Sequence, residues 1–266
     1  PQEGARVLGV NMEGPFISAK KKGAQKEEYV RNPDWELFRS LYEDCGGIVH
    51  LVDIAPECEG AQTFVERAKE LCTVSIAHTE ADFEQAKQSF AWGITHATHL
   101  YNAMSGLTHR APGVVGAVMD TPSVRAELIC DGFHINPAVL RITFRILGED
   151  RTVVVSDSMR AAGQPDGDYD LGGQMVQVRG GHALLPDGTI AGSTTNLHDE
   201  LKNLLSFGIP FRQAVKSVTI NPAREADAAD RVGSLAPGKL ADAVVLDAAT
   251  YDIRFVLMNG SVVYRA

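Results

Sequence analysis

Positive charge, paired cysteines and long apolar runs are what this 266-residue chain has little of. Its formal net charge of -9 provides no global basic field for nucleic acid or anionic lipid, so any anionic ligand must be held by a few local cations. No stretch approaches the roughly 20 apolar residues that span a bilayer, and no signal-peptide pattern is visible. The four cysteines, Cys45, Cys58, Cys72 and Cys130, form no C-x-x-C spacing. That excludes zinc-ribbon and thioredoxin-like readings and, at this size, a small disulfide scaffold. Cys130, inside an apolar run, reads as a buried thiol, and the cysteine usage implies a reducing, cytoplasmic setting.

What the chain has instead is an ordinary globular composition, 44% hydrophobic and 22% charged. Strand-like runs fall at about 6–12, 48–54, 73–78, 93–99, 126–131 and 152–157. Amphipathic segments lie between them. Asp34 opens one as an N-cap, Gly60–Leu71 and Glu80–Ala91 repeat the pattern, and Pro137–Leu147 begins with proline near a helix start. Strand and helix in alternation indicate βα units on a parallel sheet. After Asp157 come a glycine-rich hairpin region, Leu171–Gly188, and helices at about 196–207 and 210–219. The tail from Gly233 supplies further strands, closing on an Asn259-Gly260 hairpin. Six βα strands are visible where a closed barrel has eight, so either the sheet is open or two units precede Pro1. The expected organisation is a catalytic (β/α) barrel over residues 1–232 and part of a small β-domain over 233–266.

Four strand-like runs end on residues that bind metals or move protons: Glu13, His78, His99 and Asp157. Strand ends are where a barrel places its chemistry. One polar ending means little; four of these residue types together point to a metallohydrolase. One Glu and two His from three strands suit zinc or iron with an open position. His96 and His99 lie three apart, so on a strand they face opposite sides; His99 is the better ligand, and His96 is expected to pack on the helix side. Thr79 can cap the helix after His78. Asp157 can act as base and acid, or merely cap a helix. His134, in Asp131-Gly-Phe-His, can bind substrate or be a plain loop residue. Arg110 suits a phosphate or carboxylate, or is a solvated loop arginine. The Lys20-Lys-Lys run is equally open between site and wet surface.

These motifs carry a family resemblance. Met12-Glu-Gly-Pro-Phe16, Lys21-Lys-Gly-Ala-Gln25, Gly93-Ile-Thr-His-Ala-Thr-His-Leu-Tyr-Asn-Ala-Met104, Asp131-Gly-Phe-His134, Ser156-Asp-Ser-Met-Arg-Ala161, Asp187-Gly-Thr-Ile-Ala-Gly-Ser193 and Gly233-Ser-Leu-Ala-Pro-Gly-Lys-Leu-Ala-Asp242 stand in order along essentially the whole chain. They resemble the N-acetylglucosamine-6-phosphate deacetylases of the amidohydrolase superfamily. The resemblance implies a metal-dependent TIM-type (β/α)8 barrel, of which strands 3–8 are present, plus part of a β-sandwich. It implies that Glu13, His78 and His99 hold one divalent metal (zinc, iron or similar) and that Asp157 is the general base and acid. Asn102 and Ala103 would contact the sugar phosphate, Arg110 its phosphate, and His134 the substrate near the scissile amide. Ala24, Gln25, Ile190, Ala191 and Gly192 would line the pocket. The implied partner is a phosphorylated amino sugar, and the implied assembly a homodimer. Members usually carry a longer N-terminal part, often with a His-x-His pair for a second metal; that pair is absent here. Met12 and Ser156 replace the usual Leu and Thr. The alternatives are N-acetylgalactosamine-6-phosphate deacetylation, another amide hydrolysis, or a truncated non-catalytic fragment.

Overall fold

The computed structural model describes residues 5–266; residues 1–4 of the expected first domain lie outside that range. Six parallel strands, β1 (Val10–Met12), β2 (Val49–Ile54), β3 (Thr73–Ile76), β4 (His96–Ala97), β5 (Arg125–Leu128) and β6 (Thr152–Val154), form one sheet in strict sequence order. A helix follows each of the first five: α1 (Trp35–Asp44), α2 (Ala61–Ala68), α3 (Phe83–Trp92), α4 (Gly113–Met119) and α5 (Pro137–Leu147). Sequential parallel order with intervening helices is the winding of a (β/α) barrel, here an arc with β1 and β6 as its edges.

Each helix start has a local cause. Asp34 accepts the Leu37 N–H, and Asn136 caps α5 immediately before Pro137. The cap of α3 is Asp82, in a reciprocal capping box with Gln85. The cap expected at Thr79 is therefore corrected: its hydroxyl donates to Glu57 instead. Helix α4 was not anticipated. Its sequence Gly-Val-Val-Gly-Ala-Val-Met is buried through Val118, so it has no polar face from which a helical period could be read.

The two faces of the sheet differ sharply. Val52, Ile54, Val74, Ile76, Ala97, Ala126, Leu128 and Val154 pack with Phe38, Phe64, Leu140 and Phe144 of the helices. The opposite face carries buried polar groups: Asp53, Ser75 and His96 stand in register on adjacent strands. Thr98 donates to Asp53 Oδ1 at 2.7 Å, so the Ser75 hydroxyl, 2.8 Å away, must donate to Thr98. His96 thus belongs to the inner, polar face and not to the helix side. Its imidazole lies 3.2 Å from Glu127 and 3.1 Å from Glu225, which also pairs with Arg125. Burial alone would depress its pKa, but the two carboxylates hold it up at about 9.

Beyond β6 an antiparallel sheet of β7 (Gly167–Leu171), β8 (Gln174–Arg179) and β9 (His182–Leu184) is joined by Gly172-Gly173 and Gly180-Gly181 turns with positive φ. It has a small core of its own, built on Val176, Val178, Ala183 and Ala191, with Ala24 packed against it. Helices α6 (Leu197–Ser206), α7 (Phe211–Val218) and α8 (Ile220–Glu225) follow; α8 contains the Glu225 that meets His96. The tail forms β10 (Ala243–Leu246), β11 (Ile253–Met258) and β12 (Ser261–Arg265), with Asn259-Gly260 at the β11–β12 hairpin as expected.

Candidate active site

Glu13, His78, His99 and Asp157 each lie one to three residues beyond a parallel strand, on β1, β3, β4 and β6. A strand alone does not aim them. His78, His99 and Asp157 have left-handed φ of 44°, 33° and 49°, conformations that cost about 1–3 kcal/mol per non-glycine residue. Strain of this kind persists where packing over-determines it and clusters at functional sites. For His99 it has a direct consequence: the residue leaves the strand alternation, so its side chain is not bound to the phase of His96 and Thr98.

The three side chains converge. His78 Nε2 is 2.8 Å and His99 Nε2 3.2 Å from Glu13 Oε1, and the two Nε2 atoms are 3.0 Å apart. Their ligand atoms lie within 4.8 Å of one another. The orientation of His78 is fixed from behind. Its Nδ1 lies 2.6 Å from the Lys21 carbonyl, which can only accept, so Nδ1 carries the proton and Nε2 is left for the centre. Two imidazoles and a carboxylate with their donor atoms turned on one point fit a divalent cation such as zinc or iron. Hydrogen bonds with the two imidazoles overcome the effect of burial and hold the Glu13 carboxyl far below the usual range. Burial would lower His99, but Glu13 lifts it to about 9.

Asp157 is pinned through its backbone. Its carbonyl accepts the Ser193 N–H at 2.7 Å, and the Met159 N–H returns to the Ser193 carbonyl at 2.9 Å. Burial, reinforced by the Glu13 charge, raises its carboxyl to about 6. That is the range in which one group can both take and return a proton near neutral pH.

A cleft of about 810 Å³ opens over these groups. It brings together most of the residues singled out from the sequence: Ala24, Gln25, Asn102, Ala103, His134, Ile190 and Gly192 line it with Glu13, His78, His99 and Asp157. Gln25 is held against the Glu13 turn, its Nε2 3.4 Å from the Glu13 carbonyl; a Cβ on Gly14 would stand 2.6 Å from its Oε1. Asn102 donates to the His99 carbonyl, tying its loop to the ligand strand. Two residues are not brought in. Ala191 is buried in the core of the β7–β9 sheet, and Arg110 lies exposed on the 105–112 loop away from the cleft lining. The cations that do line it are Lys20, Lys21, Lys22 and Lys26. Sequence reasoning missed the Lys21 carbonyl behind His78 and Asp131 behind His134, since a backbone acceptor leaves no signature and Asp131 reads as a turn residue. The Lys20-Lys-Lys run borders the cleft, with Lys20 mostly exposed and paired with Glu80.

The Amidohydrolase family is matched over residues 5–264. N-acetylglucosamine-6-phosphate deacetylase of Bacillus subtilis is 36% identical over 263 residues, covering 98% of this chain and 66% of that protein. N-acetylgalactosamine-6-phosphate deacetylase of Escherichia coli O157:H7 is 35% identical, covering 93% of this chain and 66% of that one. Among solved structures, N-acetyl-D-glucosamine-6-phosphate deacetylase of Mycobacterium smegmatis, as a mutant in complex with N-acetyl-D-glucosamine-6-phosphate, superposes with a TM-score of 0.91 at 32% identity, over 96% of this chain and 68% of that chain. The Thermotoga maritima enzyme gives 0.90 at 32%, over 97% and 70%. The chain thus spans about two thirds of the length of the proteins it matches. With the partial barrel, the strand-end ligands and a match over nearly every residue agreeing, the chain belongs to the amidohydrolase family.

Proposed function

We propose that this chain carries the catalytic site of a metal-dependent deacetylase that converts N-acetyl-D-glucosamine 6-phosphate to glucosamine 6-phosphate and acetate. The observation that carries the reading is the convergence of Glu13, His78 and His99 beside an Asp157 whose carboxyl sits near 6, under one cleft. Glu13, His78 and His99 would hold the ion, zinc, iron or a similar divalent cation at a single site, and its Lewis acidity would act on the water and the acyl oxygen. Asp157 takes a proton from water as the water oxygen adds to the acetyl carbon. As the C–N bond breaks, the same proton passes to the leaving nitrogen, releasing the free amine and acetic acid, which ionises to acetate. The cleft's Asn102, Ala103, Gln25, Ala24 and Ile190–Gly192 would shape the sugar subsite, with His134 near the amide. Residues 1–232 would form the catalytic unit and 233–266 the β-domain. A homodimer, which rests on the family resemblance, and a cytoplasmic setting, with which four unpaired cysteines agree, complete the reading.

A second reading has its own support. The E. coli relative acts, by its name, on the galactosamine epimer. Acetate release from both sugar phosphates, measured side by side with and without added metal, tests both. The expected result is metal-dependent release with the glucosamine epimer preferred. Asp157→Asn should lower turnover by about 10²–10⁴-fold with metal still bound. Turnover kept near normal in that variant would remove Asp157 from the proton path; no release from either sugar by the metal-loaded chain would favour the non-catalytic fragment.

A further inference from the structure

His134 enters the cleft from the loop after β5 with its ring almost fully buried, 5% exposed. Nothing in the proton path just described uses the group behind it. Asp131 Oδ2 lies 2.7 Å from His134 Nδ1, while its Oδ1 accepts the backbone N–H groups of Phe133 at 2.9 Å and of His134 at 2.8 Å. Burial works against charge on Asp131, yet these donors hold its carboxyl below the usual range. The carboxylate is therefore an acceptor, and Nδ1 must bear the proton. Among the described residues Nε2 makes no hydrogen bond, and the ring lines the cleft. At the turn Gly132 has φ +77°, a conformation side chains rarely adopt, and a Cβ there would stand 3.0 Å from the Phe207 ring.

We infer that Asp131 is a positioning residue that locks His134 in the Nδ1–H tautomer, so that Nε2 presents a lone pair to an N–H or O–H donor of the bound sugar. The inference rests on the proposed reading of the cleft as the amino-sugar phosphate site. A carboxylate that both shapes a turn and sets an imidazole tautomer does two separable things, and Asn separates them. In Asp131→Asn the amide oxygen still accepts the two backbone N–H groups. The amide nitrogen, now facing Nδ1, is a donor. The ring proton must move to Nε2, and an acceptor becomes a donor pointed at a donor.

The test is ¹⁵N NMR of the histidine side chains of the full chain, with His134 identified by its loss in His134→Gln, alongside kinetics on N-acetylglucosamine 6-phosphate. The Nδ1–H form is expected in the parent and the Nε2–H form in Asp131→Asn. KM should rise about tenfold, the usual scale for one mismatched polar contact, while kcat moves less and Tm holds. A role confined to the turn would leave tautomer and KM unchanged in Asp131→Asn. The inference is overturned if His134 keeps its Nδ1 proton in the variant, or if the proton moves and KM does not. If the parent releases no acetate, the function assigned to the cleft has failed; the imidazole spectra still decide whether Asp131 sets the tautomer.

Discussion

At the residue scale, the centre is built by giving three ordinary side chains one geometry and then letting them shift each other. Glu13 is driven down by its hydrogen bonds to His78 and His99, and Glu13 in turn lifts His99 to about 9. In the metal-free protein His99 therefore carries a proton at pH 7.5, and a cation must displace it. Calorimetric titration with zinc in buffers of different ionisation enthalpy should show release of about one proton per metal. Apparent affinity should climb about tenfold per pH unit up to about 9 and then level. A pH-independent affinity between 7 and 9 would mean that His99 is not the group displaced. Arg110 poses the complementary question. A phosphate needs cations, and the lysines 20–22 and Lys26 line the cleft where Arg110 does not. Arg110→Ala raising KM for the phosphorylated sugar far more than for the free sugar would assign it the phosphate; an unchanged KM would move that role to the lysines.

At the element scale, the loops beyond the strands aim the residues that the strands only deliver. Gly192, at φ +63°, lets the 190–193 segment approach the Asp157 turn; an added Cβ would stand 3.0 Å from the Asp157 carbonyl. Gly192→Ala should therefore weaken the bonds linking Ser193 to Asp157 and Met159, lowering stability by about 1–2 kcal/mol. Turnover should fall with metal affinity unchanged, because Glu13, His78 and His99 lie on other strands. A variant with full turnover and an unshifted melting curve would free Asp157 from that segment. The same contrast explains what could be read beforehand. Strand ends at Glu13, His78, His99 and Asp157 were legible because apolar β-branched runs are local signals. The side on which His96 lies was not, because alternation was carried through His99, whose left-handed backbone breaks the phase. Helix α4 escaped because a segment buried on all sides has no period, and the Asp131–His134 pair because its signature is that of any Asx turn. The resemblance pointed to Gln25, Asn102 and Ile190, which line the cleft and which no spacing argument could reach.

At the scale of the whole molecule, the sheet is an arc with two free borders. β1 pairs only with β2 and β6 only with β5 among the described residues, and Val10 on β1 is 39% exposed. The tail sheet is likewise thinly covered, with every residue of β12 exposed. Unpaired strand edges are templates for another chain, and apolar residues beside them add a drive to associate. The polar inner face sharpens the consequence. Asp53, Thr98 and Glu127 are buried beneath the ligand cluster, so a loosened arc would admit water to groups whose pairing depends on its exclusion. The chain by itself should therefore self-associate: sedimentation velocity should show a weight-average mass rising with concentration, with melting transitions that broaden or shift in parallel. Val10→Lys, which places a charge on the β1 border, should reduce that association without disturbing Glu13, which lies at the far end of the strand. A sharp, reversible and concentration-independent melt of a monomer would show that the borders are already protected, and that this arc holds its catalytic face together unaided.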